Sequence, residues 1–284
     1  MVESFSRICI KPTHMDSFLS PPSFRTFYSN RDLILNLTRR EIQGRYRGSL
    51  IGVLWSFLTP LLMLAIYTFV FSVVFQARWG GDEASRTDFA LILFAGLMIF
   101  NLFSETINRA PGLVLGNANY VKKVVFPLEI LPVVSLGTAI FQLSISFIVW
   151  LLFFIIFRGV PPLTIFLLPL VLLPFFLIVL GISWMLASLG VYVRDVNQII
   201  GVLVTVSMFL SPLFYSISAL PEQFQVFMML NPLTFVIEQA RQVMIWGEGI
   251  RWMGWGIYCL VSLLIAWVGF IWFMKTKKGF ADVI

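Results

Sequence analysis

Six long apolar runs separated by short polar stretches set the pattern of this chain. They cover about Leu50–Phe75, Phe89–Ile107, Leu131–Phe157, Leu163–Val193, Val196–Tyr215 and Gly254–Met274. At 1.5 Å per residue, about 20 apolar residues cross a hydrocarbon core about 30 Å thick, so each run predicts a membrane-spanning helix. The fourth is overlong and interrupted by Pro169 and Pro174. Before the sixth lies segment 216–251, which carries Pro221 and Pro232 yet stays rich in Phe, Leu and Met. A solvated loop would be more polar. Phe224–Leu230 and Leu233–Val243 therefore predict two short helices that dip back into the membrane, where irregular backbone is tolerated only against protein or a water-filled cavity. That places the segment at the outer mouth of a pathway. The fold class is an all-α integral membrane protein with six transmembrane helices.

Polar residues divide the rest. Residues 1–29 predict a loose cytoplasmic tail, because Ser6 to Ser23 hold Arg7, Lys11, His14, Asp16 and prolines and lack the apolar core of a signal peptide. Met15 is a second candidate start. Residues 30–48 predict a basic, roughly amphipathic helix, and 49–284 the membrane domain. At 100° per residue Ile34, Leu35, Ile42 and Tyr46 fall within a third of the helix circumference, while Arg39, Arg40 and Arg47 face elsewhere and Arg45 intrudes on the apolar side. Such a helix serves either as a topology anchor on lipid headgroups or as a surface on which a cytoplasmic partner pushes, and the two roles coexist. A second polar segment, 110–130, contains Asn119, Tyr120, Lys122 and Lys123 and is long enough for a short helix along the membrane surface. Arg194 and Asp195 form a tight turn between the fourth and fifth runs.

Charge fixes the orientation. With six spans, fifteen of the twenty Lys and Arg residues fall on the side of the N-terminus, which predicts both termini in the cytoplasm. The net charge of +6 gathers at the ends of the apolar runs, the pattern of topology signals and anionic lipid contact rather than of nucleic-acid binding. Of 284 residues, 59% are hydrophobic and 12% charged, against about 25% charged in soluble domains. Cys9 and Cys259 lie in the tail and in a span, and His14 is the single histidine, so neither a disulfide framework nor a histidine-based metal site or triad is expected. None of the six runs holds an ionisable residue near its middle, although Glu105 and Arg109 sit at the cytoplasmic end of the second. Proton- or sodium-driven carriers usually keep such groups at mid-membrane. The chain also lacks a Gly-x-x-x-x-Gly-Lys-Ser/Thr loop. A passive channel would need neither; active transport would need an ATPase on another chain.

Arg45-Tyr46-Arg47-Gly48-Ser49-Leu50 through Pro60, Tyr120 to Pro127, Arg194-Asp195-Val196, Ser211 to Tyr215 and Leu230 to Thr234 together resemble ABC-2 type permeases that export polysaccharides. The likeness runs from about Phe27 to the C-terminus and is closest to the O-antigen exporters, with capsule and teichoic acid exporters near. It implies a homodimer in the bacterial inner membrane, bound to two copies of a nucleotide-binding subunit that carries Mg-ATP, with no cofactor in this chain. The implied substrate is a polysaccharide on undecaprenyl diphosphate. The resemblance further implies ATPase coupling through an N-terminal interface helix (Arg39, Arg40, Arg45, Tyr46, Arg47), a coupling segment (Asn119, Tyr120, Lys122, Lys123) and the Arg194-Asp195 turn. Pro221, Phe224, Pro232, Glu238 and Arg241 fall in its outer gate.

Each assignment has a plainer counterpart. Lys122 and Lys123 equally serve as positive-inside anchors. Trp55, Tyr67, Phe71, Phe75 and Tyr215 are candidates for stacking on sugar rings, but with 29 phenylalanines in the chain most aromatics face lipid or pack the core. Trp246, Trp252 and Trp255 read as interfacial belt residues. Glu238 and Arg241, three apart, pair across one turn either inside a gate or on a solvated surface. Two rival functions remain: an ABC-2 permease for a small hydrophobic molecule or drug, and a membrane enzyme acting on lipid-linked sugars. The enzyme would draw on Asp82, Glu83, Asp88, Glu222 or Glu248, which form no motif.

Overall fold

The computed structural model describes residues 24–70, 86–121, 126–193, 195–217 and 221–284. Tail residues 1–23, together with Phe71, Phe75, Lys122, Lys123 and Arg194, lie outside the described residues. Among those described, the regular structure is helical. A short α1 (Phe24–Ser29) leads into α2 (Arg31–Arg45), and α3 (Trp55–Tyr67) follows. The long α4 (Arg86–Arg109) runs into 3-10 turns and a one-turn α5 (Ala118–Val121). Then come α6 (Leu131–Arg158), α7 (Leu168–Tyr192), α8 (Val196–Phe209), α9 (Glu222–Leu230), α10 (Pro232–Arg241), α11 (Trp252–Thr276) and a final turn, α12 (Phe280–Val283).

Among the described residues, four helices are long and apolar enough to cross a membrane: Thr87–Gly112, Leu128–Arg158, Leu163–Tyr192 and Trp252–Val283, each counted with its attached turns. They match the second, third, fourth and sixth apolar runs. Two further apolar helices, Trp55–Val70 and Val196–Phe209, are shorter. Part of the first run lies outside the described residues. The fifth run is a correction: α8 stops at Phe209 instead of reaching Tyr215, and its 14 residues span about 21 Å. Pro212 explains the stop, since it offers no N–H to a continuing helix and disfavours helical backbone at Ser211.

The bundle is organised around α4. Nearly every residue from Phe89 to Ile107 is buried, as expected of a helix that is apolar on all sides. It packs on α6, α10, α8 and α7. Three bonds fix α4 to α6: Asp88 meets Arg158 at 2.7 Å, the Trp150 indole N–H donates to the Leu91 carbonyl at 3.0 Å, and Arg109 donates to the Thr138 hydroxyl at 3.2 Å. The most extensive helix pair is α7 with α11. There the backbones touch: a Cβ on Gly181 would lie 2.5 Å from the Ile265 carbonyl oxygen. Close approach through small residues gives membrane helices dispersion contact that the hydrophobic effect does not supply between them.

Among the described residues, two prolines sit in helix interiors, Pro60 in α3 and Pro174 in α7. Each lacks the N–H that would bond the carbonyl four residues earlier. In α7 that carbonyl belongs to Leu170, and the Trp255 indole N–H donates to it at 3.1 Å. The two short helices expected between the last long runs are present as α9 and α10. Asn231 starts α10, its side-chain oxygen accepting from Leu233 N at 3.0 Å while Pro232 takes the first helical position. The Asn231 amide also donates to the Leu210 carbonyl at 3.1 Å, tying α10 to the end of α8.

The C-terminal turn is part of the core. Phe280 is buried, edge-on to Phe273 at 5.5 Å. Lys277 reaches the buried Glu129 carboxylate at 2.6 Å, and the Trp184 indole N–H donates to the Glu129 carbonyl at 2.9 Å.

Candidate functional site

The N-terminal helix, the start of the third long run and the end of the second meet in one charged cluster. The α2 helix lies on α6, where Gly137 leaves room for Thr38: a Cβ there would sit 3.1 Å from the threonine side chain. The packed face runs through Ile34, Leu37, Thr38 and Glu41, the three-and-four spacing of one helix side. Leu35, expected on that face, is 66% exposed on the opposite flank, and Thr38 and Glu41 fill the face instead. The intrusion of Arg45 is resolved by its partner: its guanidinium meets the Glu105 carboxylate on α4. Arg109 meets Glu41 and stands 3.8 Å from Glu105. Two carboxylates and two guanidiniums thus alternate between α2 and α4. Burial works against the Arg45 charge, but the hydrogen bond and charge of Glu105 outweigh it and hold its pKa above the ordinary arginine value.

Hollows flank the cluster, and one of about 630 Å³ is lined by Glu41, Gly44, Arg45, Glu105 and Arg109 themselves. A cleft of about 330 Å³ between α2 and the segment after α4 is lined by Arg40, Glu41, Arg109, Asn117 and Tyr120, among others. It brings Arg40 and Tyr120, from the two predicted coupling segments, to one site. Tyr120 stacks on Phe126 with ring centres 4.2 Å apart. Arg39, Arg47 and Asn119 are exposed, and Asp195 is exposed beside the start of α8 rather than in the cluster.

A further hollow, about 520 Å³, opens between α3, α4 and α6. Its wall mixes Tyr46, Thr59, Asn101, Gln142 and Ser146 with Met63, Tyr67, Phe94 and Met98. Among the aromatics proposed for a glycan path, Tyr67 lines this hollow. Trp55 is partly exposed near the start of α3 and is not in the wall. Tyr215 lies elsewhere, donating to the Phe209 carbonyl at 2.6 Å at the end of α8.

Glu238 and Arg241 on α10 are not a solvated pair. Arg241 is 0% exposed. Its Nε donates to the Ile92 carbonyl at 3.1 Å and its Nη2 to the Leu213 carbonyl at 3.1 Å, while Nη1 donates to the Pro212 carbonyl and lies 3.2 Å from Glu238. Gly96 makes room for it, since a Cβ there would lie 2.8 Å from Arg241 Nη2. Pro221 and Phe224 are exposed, and Pro232 is partly buried. Asp88, one of the carboxylates considered for catalysis, is paired with Arg158.

Sequence reasoning left Glu41, Glu105, Arg109, Thr138 and Gln142 out of the site, although it noted Glu105 and Arg109 at the end of the second run. The first had a signal, an acidic residue four before Arg45 on a basic helix. The two neutral residues had none.

The arrangement is a charged surface helix clamped to an apolar bundle that contains a hollow of mixed polar and apolar lining and carries two short helices before the last long helix. Residues 32–245 match the model of the ABC-2 type transporter family, and the chain belongs to it. Among characterised proteins it is similar to the O-antigen export system permease protein RfbA of Myxococcus xanthus, 25% identical over 262 residues that cover 92% of this chain and 98% of that one. The RfbA permease of Klebsiella pneumoniae is 24% identical over 254 residues, 89% and 95% of the two chains. The polysialic acid transport protein KpsM of Escherichia coli is 27% identical over 240 residues, 80% and 87%. The chain is an integral membrane protein of this transport family.

Proposed function

We propose that this chain is the membrane subunit of an ATP-driven exporter that moves a lipid-linked polysaccharide of O-antigen type from the cytoplasm to the periplasm. The observation that carries this reading is the near end-to-end match to O-antigen export permeases. In this reading α3 and α8 are the first and fifth of six crossings, α9 and α10 are re-entrant, and both termini face the cytoplasm of a bacterial inner membrane. Two copies enclose the pathway, and two nucleotide-binding subunits carry Mg-ATP beneath them. Arg39 and Arg40 on α2, Arg47 just beyond its end, Tyr120 and the residues that follow it form the docking face. The Glu41–Arg109 and Arg45–Glu105 pairs make α2 move with α4.

ATP shifts such a machine only by binding one permease conformation more tightly than the other. The test is deletion of the gene followed by analysis of surface glycan. The expected result is loss of surface polymer with lipid-linked polymer accumulating in the cytoplasm. Unchanged surface polymer, or purification from the native host without any nucleotide hydrolase, overturns the proposal.

A further inference from the structure

The connector between α2 and α3 is a poor lever. It holds Gly48 and Gly52, both at positive φ (85° and 59°), and glycine backbone of this kind rotates with little resistance. A through-space link bypasses it. The Tyr46 hydroxyl donates to the Gln142 side-chain oxygen at 3.3 Å, and the Gln142 amide nitrogen donates to the Ser56 carbonyl at 3.0 Å. Ser56 is the residue four before Pro60, so its carbonyl is the one for which the proline supplies no helical donor. One amide on α6 therefore holds the end of α2 with one atom and α3, one turn before Pro60, with the other.

The second proline within a helix, Pro174, shows what is special here. In α7 the Leu170 carbonyl is met by an indole from α11, inside the most extensive helix pair of the bundle, and the bond goes no further. Gln142 instead stands in the wall of the 520 Å³ hollow and its other end is held by the docking helix. It is seated on α6, which the bonds at both ends of α4 keep in place. Both of its hydrogen bonds join neutral groups and one is long, a kind that exchanges readily within a working cycle.

We propose that Gln142 is a positioning residue that passes the displacement of α2 to α3 at Pro60, setting the shape of the hollow. This rests on the exporter reading above. When the ATPase moves α2, Tyr46 draws on the Gln142 amide, the Ser56 carbonyl is released, and α3 is freed to bend at Pro60 beside the hollow.

The experiment compares polymer exported per ATP hydrolysed by the complete complex in proteoliposomes. It uses the wild type, Gln142→Leu, Tyr46→Phe, Pro60→Ala and the double variant P60A/Q142L. Gln142→Leu is expected to lower the ratio roughly fivefold, the value of about one net hydrogen bond, while ATP hydrolysis continues. Tyr46→Phe changes it in the same direction. Pro60→Ala returns a main-chain donor to Ser56, so P60A and P60A/Q142L are expected to share one ratio. A merely structural role would change protein yield and leave the ratio alone. Wild-type ratios in both Q142L and Y46F overturn the inference, as does a loss from P60A to P60A/Q142L as large as that from wild type to Q142L. Should Q142L fail to reach the membrane, Y46F decides: a lowered ratio supports the link and an unchanged one overturns it. A wild-type complex that exports no polymer refutes the exporter reading instead, whatever the variants do.

Discussion

Replacing Arg241 with leucine tests whether one buried guanidinium holds the outer segment on the bundle. The change removes the donor to the Ile92, Pro212 and Leu213 carbonyls and breaks the pair with Glu238. The Ile92 carbonyl lies inside α4, where the helix supplies a donor, so its loss counts little. The Pro212 and Leu213 carbonyls belong to non-helical backbone around buried residues, and each orphaned acceptor costs about 1–3 kcal/mol. Desolvating the guanidinium is itself costly, and leucine avoids that cost, so the net loss is about 3 kcal/mol. At about 2–4 °C per kcal/mol this lowers Tm by about 6–12 °C, read by tryptophan fluorescence of the purified protein in detergent. Arg241→Lys recovers part of the loss, because an ammonium lacks the fork that reaches several acceptors at once. Gly96→Ala lowers Tm in the same direction by crowding Nη2. A Tm of R241L within about 2 °C of wild type, less than 1 kcal/mol on this scale, refutes the reasoning.

Three further outcomes follow from contacts elsewhere. Glu105→Arg sets a third guanidinium beside Arg45 and Arg109 and is expected to abolish surface polymer on gels; adding Arg45→Glu restores export above the single variant, and equal defects argue against the α2–α4 clamp. Gly181→Val drives a side chain into the Ile265 carbonyl of α11 and is expected to eliminate the monodisperse peak in size-exclusion chromatography, whereas normal elution contradicts the backbone contact. Trp255→Phe keeps the ring but not the donor to Leu170, a loss of about 1 kcal/mol that lowers Tm by about 2–4 °C.

The long helices were legible because the bilayer demands twenty-residue apolar runs, and hydropathy alone found α4, α6, α7 and α11 to within a few residues. The two short helices were legible from Pro221 and Pro232, which punctuate an apolar stretch. The end of α8 was misplaced because Val196–Tyr215 stays apolar past Pro212, and composition outweighed the proline. The charged cluster was half visible: Arg45 stood out as a misfit on its helix, and its partner Glu105 stood out at the end of an apolar run, yet nothing local joined two residues sixty positions apart. Leu35 was misplaced because a hydrophobic-face rule ranks Thr38 and Glu41 as polar, although both pack against α6 and α4. Arg241 was the hardest to read, since three of its acceptors are main-chain carbonyls, which have no letter in a sequence. The same holds for Gln142 and Trp255, whose partners are carbonyls that face a proline ring in place of the helical N–H.

The docked C-terminal turn has a practical consequence for anyone handling this protein. Removing the residues after Thr276 would strip the ammonium from Glu129 and empty the aromatic socket that Phe280 occupies against Phe273. The damage would spread to the start of α6, some 150 positions away in sequence but adjacent in space. A purification handle or fluorescent reporter fused at this end therefore needs a spacer that leaves Phe280 seated.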